Sequence, residues 1–526
     1  MDRSSGILMP VFSLPGSYGI GTFGKSAYEF VDFLADAGVK YWQVLPMHPL
    51  TYGNSPYQST STFAGNMYLI DLDMLCEDGL LKKSDYDKFD FGDDPHRVDY
   101  DKVIAVKKEI LRDAAKNFIG GFVQAIEEEE KKIFAIPRFL TRRSILSSSR
   151  MNMSEEKLTY NDFRHQFQYY LDDFALFDLI KDRYAGEPFS KWDKIHRLHY
   201  DDVIAEIAVQ NPYELEVYRV VQYFFFKQWL SLKKYANEKG IQIIGDMPIY
   251  SSLDSVEVFV DYKNFLLDEY RRPYEVAGCP PDAFSSEGQL WRNPLYDYDY
   301  MRKDGYKYFI KRVAHLHELY DVIRIDHFRG FASYYSIPAS ENTARNGKWK
   351  IGPGKEIFDA IEKEVPHLSI IAEDLGIIDD SVYKLLKDTG YPGMKVVEFA
   401  FGGDAEHHQY LPKNYDENCV AYLGTHDNDT FMGWLKSANA VEKEQAIKYL
   451  HLNKGTEHRD AMTELFKSKS NLTVVMMQDL LGLGTEARIN TPSTVGAHNW
   501  SYRFTDGYLD ADAKNFLKKL INDTKR

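Results

Sequence analysis

Eight short apolar runs, each ending in a polar or charged cluster, predict an α/β fold: a (β/α)8 TIM barrel with inserted, mainly helical subdomains. Two further observations support this. Helical patterns lie between several of the runs, and 526 residues exceed the roughly 250 that such a barrel needs, which leaves length for insertions. The runs are near-continuous rather than alternating, as parallel strands covered on both faces require.

The first run, 6–13 (GILMPVFS), leads into a helical stretch at 24–37 whose Phe30, Phe33 and Leu34 share one face. The second is 40–49 (KYWQVLPMHP). The largest interruption, 75–210, follows and reads as a mainly helical insertion between strands 2 and 3. It holds VIAVKKEILRDAAKNFIGGFVQAI within 101–131 and an amphipathic aromatic stripe at 162–184. Its acidic run Glu127–Glu130, followed by Lys131 and Lys132, reads as a solvated helix face. A helix is expected over 211–239, with Asn211 as N-cap, Pro212 in its first position and Gly240 beyond its end.

The third run is 241–250 (IQIIGDMPIY), and a loop insertion is expected after it at 251–300. The remaining runs are 321–330 (DVIRIDHFRG), 369–376 (SIIAEDLG), 393–400 (GMKVVEFA), 419–429 (CVAYLGTHDND) and 473–480 (TVVMMQDL). A helix at 380–390 begins with Asp380 and Ser381 and ends at Gly390, and 511–522 reads as the last barrel helix. No repeat and no Gly/Ser linker divides the chain, so 1–526 reads as one barrel unit.

Composition narrows the function. The formal charge of −15 argues against a nucleic-acid partner, because phosphate binding needs clustered Lys and Arg. Cys76, Cys279 and Cys419 are far apart and odd in number, which suits neither a disulfide framework nor a zinc site and fits a reducing, cytoplasmic compartment. There is no signal-peptide pattern and no run of 18 apolar residues, so neither secretion nor a membrane partner is expected. The 37 tyrosines suit a sugar-binding cleft and an ordinary core equally well.

In parallel barrels the chemistry collects at the C-terminal ends of the strands. Those ends carry Asp246, Asp326, Glu373, Asp427 and, fifth, Asp479. Acids at the ends of buried strands are costly unless paired, and several converging on one mouth point to function. Two carboxyls about 5–5.5 Å apart suit retaining glycoside chemistry, one as nucleophile and one as acid/base. Arg324, two residues before Asp326 and on the same strand face, is placed to keep that carboxylate ionised. Asp374 falls on the opposite face from Glu373. His327 and His426 also lie at strand ends, but no HxH or HxxxH spacing supports a metal, and no cofactor is expected: there is no GxGxxG in strand–turn–helix context, no GxxxxGK[ST] and no GxSxG. The glycine-bearing segment 482–490 (GLGTEARIN) has no phosphate grammar.

The ordered motifs SYGIGTFG (17–24), GNSPYQSTSTFAGN (53–66), GDMPIY (245–250), CPPDAFSSEGQLWRNPLY (279–296), RIDHFRGF (324–331), IIAEDLG (370–376), GYPGMKVVEFAF (390–401), GTHDNDT (424–430) and INTPST (489–494) carry a resemblance. The chain resembles the 4-α-glucanotransferases, the amylomaltases or disproportionating enzymes of glycoside hydrolase family seventy-seven and the α-amylase clan, nearly end to end. The resemblance implies retaining transfer of α-1,4-glucan segments between maltooligosaccharides through a glycosyl–Asp intermediate. It implies Asp326 as nucleophile, Glu373 as acid/base and Asp427 as the third carboxylate. It further implies substrate contacts from Arg324, His426, Tyr57, Ser55, Asp246, Asp282, Gln289, Trp291 and Asn490, with Tyr52 near a second glucan site, and makes 251–300 a substrate-loop insertion. Two positions depart from the family pattern, Lys413 in YLPKN and Cys279 before PPDAF. An α-amylase-type hydrolase, a non-catalytic glucan-binding scaffold and a metal-dependent sugar isomerase are the alternatives; the complete set of three carboxylates argues against a scaffold.

Overall fold

The computed structural model describes residues 2–51, 53–129, 158–281 and 285–526. Each of the eight apolar runs contributes one strand: β1 (Ser4–Leu8), β2 (Tyr41–Gln43), β3 (Gln242–Met247), β4 (Val322–Ile325), β5 (Ile370–Ala372), β6 (Gly393–Val396), β7 (Cys419–Tyr422) and β8 (Leu472–Met476). They pair in parallel in the order β6-β7-β8-β1-β2-β3-β4-β5. The ring is completed between β5 and β6. There the Ala372 amide donates to the Pro392 carbonyl at 2.9 Å, and the Met394 amide donates to the Asp374 carboxylate at 2.6 Å. Asp374 thus faces away from Glu373, as alternation requires, and serves the barrel seam.

Helices cover the outside. Lys25–Ala37 buries Phe30, Phe33 and Leu34 and ends at Gly38 in the left-handed region, with φ 83°. It packs on the last helix, Ala511–Thr524, which Asp510 caps by accepting from the Ala513 amide. Asp380–Thr389 begins and ends where the sequence suggests, with Asp379 as its cap and Gly390 after its last residue. Pro212–Glu238 has its proline in the first turn, but Asn211 does not cap it. The Asn211 side chain instead donates to the Ile207 carbonyl at 2.7 Å and accepts from Arg183 at 2.7 Å, a join to the preceding helices that wins over the cap.

Between β2 and β3 the described chain forms Tyr100–Glu129 and Tyr160–Arg183, which pack on Pro212–Glu238. Asp182 ties all three together by accepting from Lys108 and Tyr218, each at 2.5 Å, and from Arg112. The side chains of Glu127 to Glu129, and the whole of Glu130, Lys131 and Lys132, lie outside the described residues. Two buried glutamines hold the segment after β2 as a strand would. Gln222 exchanges two hydrogen bonds with Gly65 and Gln228 two with Asp71, all between 2.7 and 3.0 Å. A recess of about 840 Å³ lies between this helical layer and the barrel rim, walled by Lys108, Asp178, Asp254 and Trp291. Among the described residues no helix is long and apolar enough to cross a membrane.

A second sheet stands over the barrel mouth. Its four strands, in the order 289–294, 275–279, 333–338 and 348–351, are antiparallel. It combines the insertion after β3 with a second one between β4 and β5, which the sequence did not suggest.

The seam yields a test. A Cβ on Gly393 would stand 2.7 Å from Asp374 Oδ2, closer than packing allows. Gly393→Ala should therefore lower stability by about 1–3 kcal/mol, the usual range for overpacking, read as a drop in the denaturant midpoint. An unchanged midpoint would show that the Asp374 contact does not hold the ring shut.

Candidate active site

The register of two neighbouring strands builds the centre of the site. In the parallel β3–β4 ladder Asp246 stands opposite Arg324. Both side chains are almost wholly buried, and Arg324 Nη1 donates to Asp246 Oδ2 at 2.6 Å. Two residues on, Asp326 projects from the same face, and the same Nη1 donates to its Oδ1 at 3.1 Å. The Tyr57 hydroxyl, carried in by the loop after β2, donates to Asp246 Oδ2 at 2.7 Å. One guanidinium thus serves two carboxylates, with the phenol sharing Oδ2 of the buried one.

Arg324 does reach Asp326, as its place on the same strand face predicts, and its shorter contact is to Asp246. Burial pushes the Asp326 carboxyl well above its ordinary range, Arg324 pulls it down, and Asp246, Glu373 and Asp427 push it further up. Burial also raises Glu373, against the pull of Arg324 and of two backbone amides. Those amides belong to His327, donating to Oε2 at 2.6 Å, and Leu375, donating to Oε1 at 2.8 Å. His327 reaches this position in the left-handed region, with φ 52°, a conformation that costs a non-glycine residue about 1–2 kcal/mol. That turn, immediately after Asp326, aims the amide at Glu373.

On the other side of Tyr57, His426 stacks on the phenol ring, with centroids 5.3 Å apart and planes 14° apart, and its Nε2 lies 2.9 Å from the hydroxyl. Because the phenol gives its proton to Asp246, His426 donates here. Burial lowers the His426 pKa and keeps the ring neutral. Its Nδ1 is buried with no hydrogen-bond partner, so the ring is fixed through Tyr57. The next residue, Asp427, has a 48% exposed side chain, facing open space where its neighbours are closed in. Asn490 donates to its Oδ1 at 2.6 Å. A continuous chain of contacts therefore runs from Asn490 through Asp427, His426, Tyr57, Asp246 and Arg324 to Asp326, drawing on the ends of β2, β3, β4, β7 and β8.

The second sheet supplies an aromatic wall. Trp291 meets the His327 ring edge-on, with centroids 4.9 Å apart, and donates from Nε1 to Gln289 Oε1 at 3.1 Å. Burial lowers His327 to about 3, so this imidazole is neutral as well. Ser55 accepts from the Tyr57 amide at 3.3 Å and shapes the loop that delivers the phenol. Asp282 and Tyr52 lie outside the described residues. Lys413 pairs with Glu406 at 2.6 Å on the surface, remote from these contacts. Among the described residues no group of three or more His, Cys, Asp or Glu side chains is arranged to hold a metal ion.

Asp479, the fifth strand-end acid, does not join the site. It is buried just after β8 and accepts from the Phe431 amide at 2.7 Å, at the start of the helix Phe431–Ser437. Sequence reading also missed Glu398, buried beside it, and Arg488. Both stand in runs whose apolar or glycine character drew attention away from the charge.

The sequence model of the family described as 4-alpha-glucanotransferase matches residues 9–509. A 4-alpha-glucanotransferase of Clostridium butyricum is 42% identical over 97% of this chain and 98% of its own. One from Thermus thermophilus is 39% identical, covering 100% and 99%. Among solved structures, the amylomaltase of Streptococcus agalactiae in complex with acarbose superposes with a TM-score of 0.91 at 39% identity, covering 100% of this chain and 99% of that one.

Asp479 gives a prediction with a definite sign. Burial, with Asp429 nearby, raises its carboxyl to about 7. The folded state then holds a proton that the unfolded state has lost, so ionisation costs stability increasingly from about pH 4 and fully above pH 7. Asp479→Asn keeps the acceptor for Phe431 and removes the titration. Its Tm should exceed that of the wild type at pH 8, the gain should vanish near pH 4, and activity should stay above half. A gain that is the same at both pH values would contradict the account.

Proposed function

The chain belongs to the 4-alpha-glucanotransferase family, and from that premise we propose how its site transfers α-1,4-glucan segments from one maltooligosaccharide to the 4-hydroxyl of another. The observation that carries the reading is the pair of strand-end carboxyls, Asp326 and Glu373, both pushed upward in one buried pocket with a single guanidinium against Asp326. Each negative charge disfavours the other, so the two carboxyls titrate as a pair. Arg324 donates to Asp326 and not to Glu373, which favours the charge on Asp326 and the proton on Glu373. The two amides at Glu373 pull its carboxyl down and so oppose this in part, but their bonds survive protonation, since a protonated carboxyl still accepts.

In the first step an Asp326 oxygen attacks the anomeric carbon. The bond to the departing 4-oxygen breaks as Glu373 gives that oxygen its proton, leaving a β-linked glycosyl ester. In the second step Glu373, now a carboxylate, takes the proton of the acceptor's 4-hydroxyl. That oxygen attacks the same carbon, and the ester bond breaks with the anomer retained. Asp427, with Asn490 on one oxygen, leaves the other to hold sugar hydroxyls as the ring flattens. Trp291 offers an aromatic face for the glucan, and Tyr57 with His426 closes the floor at the cleavage point. That a relative is solved in complex with acarbose supports a saccharide ligand for this chain. The three cysteines, none of them in a disulfide, support a cytoplasmic setting.

Incubated with maltotriose, the protein should give a ladder of shorter and longer chains with few new reducing ends. Asp326→Asn should lower transfer by about 10⁴–10⁶-fold with an unchanged Tm, since the amide keeps the shape but cannot bond to carbon. Retention of more than a tenth of wild-type turnover would remove Asp326 from the role, and a product mixture dominated by new reducing ends would make the protein a hydrolase.

A further inference from the structure

Of the segment 482–490 (GLGTEARIN) only Asn490 enters the mechanism above. Gly482, at φ 65°, turns the chain, and the segment returns from β8 towards the loop 424–430 that bears Asp427. We propose that Arg488 is a positioning residue for the Asp427–Asn490 pair, a proposal that rests on the role given to Asp427 above.

Arg488 Nε donates to the Asn490 carbonyl at 2.7 Å, and Nη2 donates to the Asp427 carbonyl at 2.9 Å. One planar group thereby fixes the separation of two backbone segments, and those segments carry the side chains that meet at 2.6 Å. A third link, from the Asn490 amide to the His426 carbonyl at 3.1 Å, sets the tilt. The fork of the guanidinium matters: two carbonyls from different strand ends are held by nitrogens in a rigid relation, which a lysine could not reproduce.

The far side of the same loop is anchored independently. The Thr485 hydroxyl donates to Asp429 at 2.8 Å, and Asp479 accepts from Phe431. Glu398 lies so close under Gly424 that a Cβ there would be 2.9 Å from its Oε1. Burial raises Glu398, and Arg488 is the cation that opposes this. With those anchors in place, loss of Arg488 should leave the loop folded and shift only its upper edge. That edge carries the Asp427 carboxylate, and a misplacement of about 1 Å at a reacting group can cost about 10²-fold.

The test is a cycle of Arg488→Met, Asn490→Ala and the double variant, assayed for transfer from maltotriose alongside Tm. Arg488→Met should lower kcat by about 10–100-fold with KM within about threefold, because Asp427 acts on the flattened sugar more than on the resting one. Arg488→Lys should recover part of the loss. The double variant should lose little more than the worse single variant, since both act through Asp427. Wild-type kcat in folded Arg488→Met, or losses that multiply in the double variant, would overturn the proposal. If Arg488→Met does not fold, full kcat in Arg488→Lys would overturn it. Asp427→Asn, run in parallel, separates the two readings: activity above a tenth of wild type there would remove Asp427 from its role, whatever Arg488 shows.

Discussion

A single buried guanidinium shared by two carboxylates is the constraint on which the site depends. Arg324 and Asp246 lie side by side because β3 and β4 are in register at these residues, and neither side chain reaches solvent. Burying a charge pair is expensive unless every donor and acceptor is used well. Asp246 meets that demand in part, with Arg324 and Tyr57 on Oδ2, while its Oδ1 is buried with no hydrogen-bond partner among the described residues. The charge left over on Arg324 falls on Asp326, whose side chain is 27% exposed and opens to the cleft. Arg324 thus holds a fixed donor against a carboxylate that must react, offset in part by the negative charge of Asp246 beside it.

The remaining parts transmit this arrangement outwards. Tyr57 links the buried pair to His426, and His426 is followed directly by Asp427. The left-handed turn at His327 couples the end of β4 to Glu373 at the end of β5, so the two proposed reacting carboxyls are set by adjacent strands and one peptide group. Asp374 on the opposite face holds β6 against β5. The same short stretch therefore shapes the chemistry on one side and closes the ring on the other. Over the mouth, the second sheet is tied to the barrel by Arg329, which lies over the Trp349 ring at 3.8 Å and donates to the Ile377 carbonyl and to Asp379.

The barrel was legible because parallel strands covered on both faces leave near-continuous apolar runs, and because acids at their ends stand out against that background. Asp326, Glu373 and Asp427 could be placed at strand ends from spacing, whereas their individual roles came from the family resemblance. The sharing of Arg324 was not legible, since it depends on the register between β3 and β4, and no single strand contains it. Asp479 misled for a related reason: strand-end position does not say whether a side chain turns to the mouth or behind it. The second sheet was hidden because SYYSIP and KWKI are short and half polar, and SYYSIP pairs on its other side with a strand about 60 residues earlier in the chain. Arg488 was missed because its contacts go to backbone carbonyls, which leave no trace in the residue types they touch.

The central claim is that Asp326 bonds to the sugar while Glu373 moves the proton. The most direct measurement is intact-protein mass after mixing with α-glucosyl fluoride, whose leaving group scarcely needs a proton. Glu373→Gln should accumulate one glucosyl adduct, located on Asp326, because the ester forms without acid help but its release lacks a base. Asp326→Asn should gain nothing. An adduct on Asp326→Asn, or none on either variant while Asp427→Asn traps the sugar, would contradict the assignment of the two carboxyls.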